Sequence, residues 1–176
     1  MNTALDDRLR SLIRDVPDYP KPGILFKDIT PLLADAGAFA KATQAMATPF
    51  ADSRVTHVVA IESRGFILGA PVAQQLGAGF VPVRKPGKLP YRSRREEYAL
   101  EYGTDALEVH ADALSGDARV LIVDDVLATG GTAAATRRLV ESLGATVVGF
   151  SFLLALSFLP GLERIAGKPV RTVLTF

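Results

Sequence analysis

Two adjacent carboxylates, Asp124 and Asp125, close the apolar run RVLIVDD (119–125). Five small or hydroxylated residues, Ala128, Thr129, Gly130, Gly131 and Thr132, follow almost at once. The two groups favour opposite ligands. Carboxylates repel phosphate and accept hydrogen bonds from hydroxyls, as the acidic residue that holds a ribose in dinucleotide folds does. A Gly/Thr turn ahead of a helix wraps its N–H groups around an oxygen-rich anion. A ligand that satisfies both carries a diol and a phosphate, as a ribose 5-phosphate does. A plain strand-to-helix turn, with Thr129 or Thr132 as N-cap and glycine at positive φ, accounts for the glycines and one threonine. It leaves the second aspartate and the length of the small-residue run unexplained. Neither a Walker Gly-Lys-Ser/Thr loop nor a GxGxxG fingerprint is present.

Such a turn needs a strand before it and a helix after it. Short β-branched runs occur at VTHVVAI (55–61), GFVPVR (79–84), RVLIVDD, TVVGFSFLLA (146–155) and VRTVLTF (170–176). Helical patterns lie between them at RGFILGAPVAQQLG (64–77) and GTAAATRRLVESLG (131–144). Strands alternating with helices predict an α/β fold, a mostly parallel five-stranded sheet with helices on both faces. Ligands of such sheets bind outside the carboxyl ends of the strands, where Glu62, Ser63, Arg64, Asp124 and Asp125 fall. A helix is expected over Thr3 to Val16, then a Pro-punctuated cap, DYPKPGILFKDITPLL. A basic loop, KPGKLPYRSRR (85–95), should lead into a hairpin made of EEYALEYG and TDALEVH. With no repeat, linker or low-complexity tract, residues 1–176 read as one domain.

Composition narrows the function classes. Twenty Lys and Arg against nineteen Asp and Glu give a net charge of +1, so nothing global favours nucleic acid or a membrane surface. The absence of cysteine excludes disulfides, a thiolate nucleophile and Cys-based zinc sites, and fits a reducing, cytoplasmic setting. The charged amphipathic start, MNTALDDRLRSLIRDV, does not read as a signal peptide. The uncharged stretch 142–162 contains Gly144, Ser151, Ser157 and Pro160, and reads as a buried strand running into a loop. His57 and His110 have no partner at ligand or triad spacing.

VLIVDDVLATGGT resembles the phosphoribosyl pyrophosphate (PRPP) signature of type I phosphoribosyltransferases, in the DDxxATGGT form of their adenine-using branch. The resemblance covers nearly the whole chain. YPKPGILFKDITPLL is similar to the family's N-terminal hood (here about 1–33), and IESRGFILG to its pyrophosphate loop. RKPGKLP and LEYG resemble the base and acidic end of its mobile flap (about 85–110). The family's reaction joins adenine to the 5-phosphoribosyl group of PRPP, giving AMP and pyrophosphate.

The resemblance also implies site residues. Asp124 and Asp125 would hold the ribose hydroxyls, and residues 128–132 the 5-phosphate. Arg64 would fork onto pyrophosphate beside Ser63, whose preceding peptide is expected to be cis. Alone, Arg64 also reads as a surface residue capping a helix. Lys88, with Lys85 beside it, would reach pyrophosphate, whereas Arg94 and Arg95 read as solvated. Ala128 stands where enzymes for 6-oxo purines carry Asp, which leaves Glu101 as the candidate acid/base. On residue type alone, Glu101 also reads as an edge-strand carboxylate facing water. Tyr102 would close over the site. Phe26 and Leu156 would flank the purine, and main-chain groups of Leu25 and Lys27 would read its edge; Phe26 also reads as an apolar plug. Magnesium, carried mainly by PRPP and water, and a homodimer are implied too. LLALSFLPGLERIAG (153–167) departs from the family pattern, with Ala155 for an acidic residue and Leu162 for an arginine. Two other readings stand beside this one: a phosphoribosyltransferase for another base, and a regulator that keeps the PRPP site as a sensor. PRPP synthetase, which has a related turn, is disfavoured by its greater length.

Overall fold

The computed structural model of the chain describes residues 3–100 and 103–176. Five strands form one parallel sheet: β3 (His57–Ile61), β4 (Gly79–Val83), β7 (Arg119–Leu127), β8 (Thr146–Ala155) and β9 (Val170–Thr175), in the order β4-β3-β7-β8-β9. Helices α4 (Arg64–Leu76) and α5 (Gly131–Ser142) are the crossovers that follow β3 and β7. Strands covered on both faces lose the in/out alternation of an exposed sheet and become continuously apolar. In β7, Val120 to Val123 are all fully buried. The uncharged stretch is β8 and the loop after it, and β8 is buried at every position but Thr146 and Val148. No helix of the described residues is long and apolar enough to cross a membrane.

Two apolar layers flank the sheet. One gathers Val59, Ile122, Leu139, Val140, Phe150 and Phe152 under α5. The other packs Leu68, Val72, Leu121, Val123 and Leu153 against α4 and α3 (Ala36–Ala47). The α3 helix, absent from the sequence reading, starts where the Asp35 carboxylate accepts from Ala38 N–H at 2.8 Å, an N-cap signal visible in the residue types.

Three boundaries differ from the expectations. The first helix, α1 (Thr3–Ser11), stops five residues short of Val16. Pro17 disfavours helical backbone at the residue before it, and β1 (Arg14–Pro17) pairs antiparallel with β2 (Leu25–Asp28). A short helix, α2 (Thr30–Ala34), links that hairpin to α3. The second hairpin, β5 (Ser93–Leu100) with β6 (Gly103–His110), begins early enough to take Arg94 and Arg95 out of the loop and into a strand, where both stay exposed. The third boundary is that β7 runs past Asp125 to Leu127.

Candidate active site

The overrun of β7 makes the site. β7 pairs with β3 only as far as Ala60 opposite Val123, while its pairing with β8 continues from Asp124 to Leu127. Asp124 and Asp125 therefore lie on a strand whose neighbour has already turned away, at a crevice open on the β3 side. Sequence reasoning put both aspartates at the strand's end; they end its pairing with β3, and the strand itself continues. The β3 chain leaves through Glu62 and a cis peptide to Ser63, as expected, and α4 opens at Arg64. Arg64 reaches back across the crevice, its Nε donating to Asp125 Oδ2.

The two carboxylates differ. Asp125 is 5% exposed and paired with the guanidinium. Asp124 Oδ1 accepts from the Asp125 N–H at 2.9 Å. Burial first, and then the charge of Asp125, push the Asp124 carboxyl well above its ordinary value of 3.8. Its seat is made by α4: a Cβ on Gly65 would stand 2.7 Å from Asp124 Oδ1.

After Leu127 the chain turns through Ala128 and Thr129 into α5. Gly130 is the N-cap residue at φ 76°, and no side chain caps the helix. Neither Thr129 nor Thr132 is the cap. The first N–H groups of α5 thus remain available to an anion. Gly161, which opens α6 (Gly161–Arg164), presses on the turn from behind, so a Cβ on Gly130 would meet Gly161 O at 2.7 Å. A pocket opens here, bounded by Asp124, Leu127, Ala128, Thr129, Gly130 and Thr132.

Cations and the N-terminal hairpin complete the surroundings. Lys88 Nζ donates to Glu62 Oε1 at 2.6 Å and Arg84 Nε to Glu62 Oε2 at 2.9 Å. Burial opposes ionisation of Glu62, but the Lys88 and Arg84 hydrogen bonds outweigh it and hold the carboxyl below its ordinary value. Lys88 therefore stands at the Ser63 loop. Lys85 turns instead to the hairpin, bonding to Asp105 and to the Tyr98 hydroxyl. From the N-terminal hairpin, Phe26 brings its ring to 5.1 Å from the Arg64 guanidinium carbon and meets Tyr19 edge-on at 5.2 Å. Leu25 is 49% exposed beside it, and Lys27 pairs with Asp15. Leu156 lines an apolar cavity behind the turn, with Leu127, Ala128 and Leu162, and its N–H donates to Leu127 O at 3.0 Å. Glu101 and Tyr102 lie outside the described residues. The residues that sequence reasoning missed are Glu62 as the holder of two cations and Gly65 as the seat of Asp124. IESRG itself was the available signal.

Comparison with known proteins gives the family of the chain. Residues 29–158 match the family described as phosphoribosyl transferase domain. The adenine phosphoribosyltransferase of Myxococcus xanthus is 59% identical over 175 residues, covering 99% of this chain and 95% of that protein. The chain belongs to the adenine phosphoribosyltransferase family. Within that family, the crystal structure from Rhodothermus marinus superposes with a TM-score of 0.95 at 55% identity, covering 99% of this chain and 100% of that one. The Saccharomyces cerevisiae member, solved with adenine and D-2,5-dideoxy-2,5-imino-altritol 1,6-bisphosphate, gives 0.92 at 38% identity, covering 98% and 99%. The expected α/β fold of this family is thus the fold of the chain.

Proposed function

We propose that this chain transfers the 5-phosphoribosyl group from PRPP to adenine, giving AMP and pyrophosphate, a step of purine salvage. The observation that carries the reading is the overrun of β7. It presents two carboxylates between an uncapped, glycine-entered helix N-terminus and the cation-bearing loop Glu62–Arg64. That spacing suits a ligand with a phosphate at one end, a diol in the middle and a second anionic group beyond it.

Asp124 and Asp125 take the ribose hydroxyls and support positive charge as it develops on the ring. Main-chain N–H groups of Ala128 to Thr132, with the two threonine hydroxyls, take the 5-phosphate. Arg64, the Ser63 main chain and Lys88 take pyrophosphate, with Lys85 joining when it exchanges Asp105 for substrate. Phe26 and Leu156 hold the purine between them, which is worth about 1–3 kcal/mol by analogy with base–aromatic stacking. The main chain of Leu25 and Lys27 distinguishes a 6-amino from a 6-oxo purine, because the wrong edge leaves buried polar groups unpaired. Glu101 serves as acid or base at the purine, and Tyr102 closes over it. Among the described residues no three His, Asp or Glu side chains group to hold a metal. A magnesium ion would arrive on PRPP and keep most of its waters, and so would need few protein ligands, with Asp124 and Asp125 the carboxylates that would face it. When bound, magnesium neutralises pyrophosphate as a leaving group. We further assign a cytoplasmic location and a homodimer, the latter through the exposed Phe80 of the edge strand β4 and Ile67 of α4.

The test is an assay with PRPP, magnesium and each of adenine, hypoxanthine and guanine. AMP from adenine alone is expected. Turnover of a 6-oxo purine would overturn the assignment of the N-terminal hairpin as the base reader. PRPP binding without turnover of any base would favour a PRPP sensor.

A further inference from the structure

Phe176 lies where helix α1, the hairpin strand β2 and the loop after β8 meet. Its main chain brackets Leu156: the Phe176 N–H donates to Ala155 O at 2.9 Å, and its carbonyl oxygen accepts from Ser157 N at 2.7 Å. The Ser157 hydroxyl donates to the same oxygen at 2.8 Å. Its ring carries two cations. The Arg10 guanidinium carbon of α1 and the Lys27 Nζ of β2 each lie 4.4 Å from the ring centroid. Both cations are tied down a second time. Arg10 Nη2 donates to Thr175 O at 2.9 Å, and Lys27 Nζ pairs with Asp15 at 2.6 Å. The Lys27 side chain is only 13% exposed, so its stem cannot swing away.

Lys27 is next to Phe26 in β2, and Ala155 and Ser157 are the neighbours of Leu156. The two side chains assigned to opposite faces of the purine are therefore each one residue from a group that Phe176 holds. A purine held between two apolar walls needs their spacing fixed near two van der Waals contacts. Here one wall belongs to a two-stranded hairpin and the other to the parallel sheet, so the spacing is not set by either element alone.

We infer that Phe176 is a positioning residue for the purine, a clasp between the ring and main chain of one residue that fixes the width of the base slot. The inference rests on the assignment of Phe26 and Leu156 to adenine. It predicts a specific split: losing the clasp weakens adenine far more than PRPP, because Arg64 contacts neither Phe176 nor its partners, and the phosphate turn meets those partners only from behind, across the cavity that Ala128 shares with Ala155 and Ser157.

The test compares Phe176→Leu, which keeps apolar bulk and the main-chain bonds but removes the π face, with Phe176→Tyr, which keeps the face. Loss of a desolvated cation–π contact corresponds to about a tenfold change in a binding constant. The expected result for Phe176→Leu is a KM for adenine raised about tenfold, with the KM for PRPP within about twofold of wild type. Phe176→Tyr should restore adenine KM, and Lys27→Met should reproduce the rise without adding to that of Phe176→Leu. Phe176→Leu with unchanged adenine KM, or with both KM values rising together, would overturn the clasp. Wild-type protein that makes no AMP from adenine would instead overturn the proposed reaction, and the clasp with it; these two failures are read from different proteins in one assay.

Discussion

Asp124 and Asp125 carry unequal electrostatic burdens. Asp125 has the Arg64 guanidinium against it, whereas Asp124 is desolvated and faces the charge of Asp125, with Arg64 a smaller attraction. A carboxyl whose native pKa is raised holds its proton longer in the folded state than in the unfolded chain. Stability is then lost as pH climbs from the unfolded value through the native one. Asp124→Asn keeps an oxygen acceptor for the Asp125 N–H and removes the burden. Its melting temperature should match wild type near about pH 4, where Asp124 is protonated in both states, and exceed it increasingly toward neutrality. The same variant should lose about 10²–10³ in kcat if the carboxylate supports charge in the transition state. Thermal melts across pH beside an AMP assay measure both; a stability gap that stays flat with pH would refute the electrostatic account. These two residues were legible in the sequence because their chemistry lies in residue type and close spacing. The pairing of Lys85 with Asp105, twenty positions away, was not, since it depends on the antiparallel bridge of Arg84 to Glu108 that lays the chain after β4 along β6.

At the scale of elements, the site depends on how near α4 comes to β7. Gly65 stands at the helix start because any Cβ there would press on Asp124 Oδ1 at 2.7 Å. Inside a helix, Gly→Ala by itself favours folding by up to about 1 kcal/mol, which offsets part of the clash. Gly65→Ala should therefore cost activity out of proportion to stability: kcat/KM down by about tenfold or more, corresponding to 1.4 kcal/mol, with a melting temperature near wild type. Paired kinetics and melts decide it, and an intact kcat/KM would show that the seat of Asp124 tolerates displacement. The sequence displayed the parallel strands and both crossover helices through their periodicity and bounding glycines. It concealed the end of α1, where the extended preference before Pro17 and pairing with Leu25–Asp28 override a helical pattern. It also concealed how far β7 outlasts β3, because strand length in a sheet is a property of the neighbour as much as of the run.

Across the whole molecule, one apolar face is joined to the loop Glu62–Arg64. The edge strand β4 and helix α4 expose Phe80 at 38% and Ile67 at 45%, and Phe66 meets Phe80 edge-on at 5.9 Å. The guanidinium carbon of Arg84 lies 5.9 Å from the Phe66 ring, and Arg84 in turn holds Glu62 beside Lys88. In the sequence GFVPV reads as one more apolar strand in which Pro82, unable to donate to a ladder, is the one edge signal, and the strand order places it at an edge. A second copy covering this face would order the chain of contacts from Phe80 through Phe66 and Arg84 to Glu62, and so set the position of Lys88. Wild-type protein should then run in light scattering at twice the 18.7 kDa of one chain. Phe80→Asp places a charge that is costly to bury in that interface and should yield monomers. Because the linked contacts end at Glu62 and Lys88, beside the loop proposed to take pyrophosphate, and not at the residues proposed to hold the base, the monomer should show a KM for PRPP raised about tenfold or less, a loss of up to 1.4 kcal/mol, with a smaller change for adenine. A Phe80→Asp protein that remains dimeric would move the interface elsewhere on the molecule. A monomer with unaltered PRPP kinetics would uncouple the face from the loop.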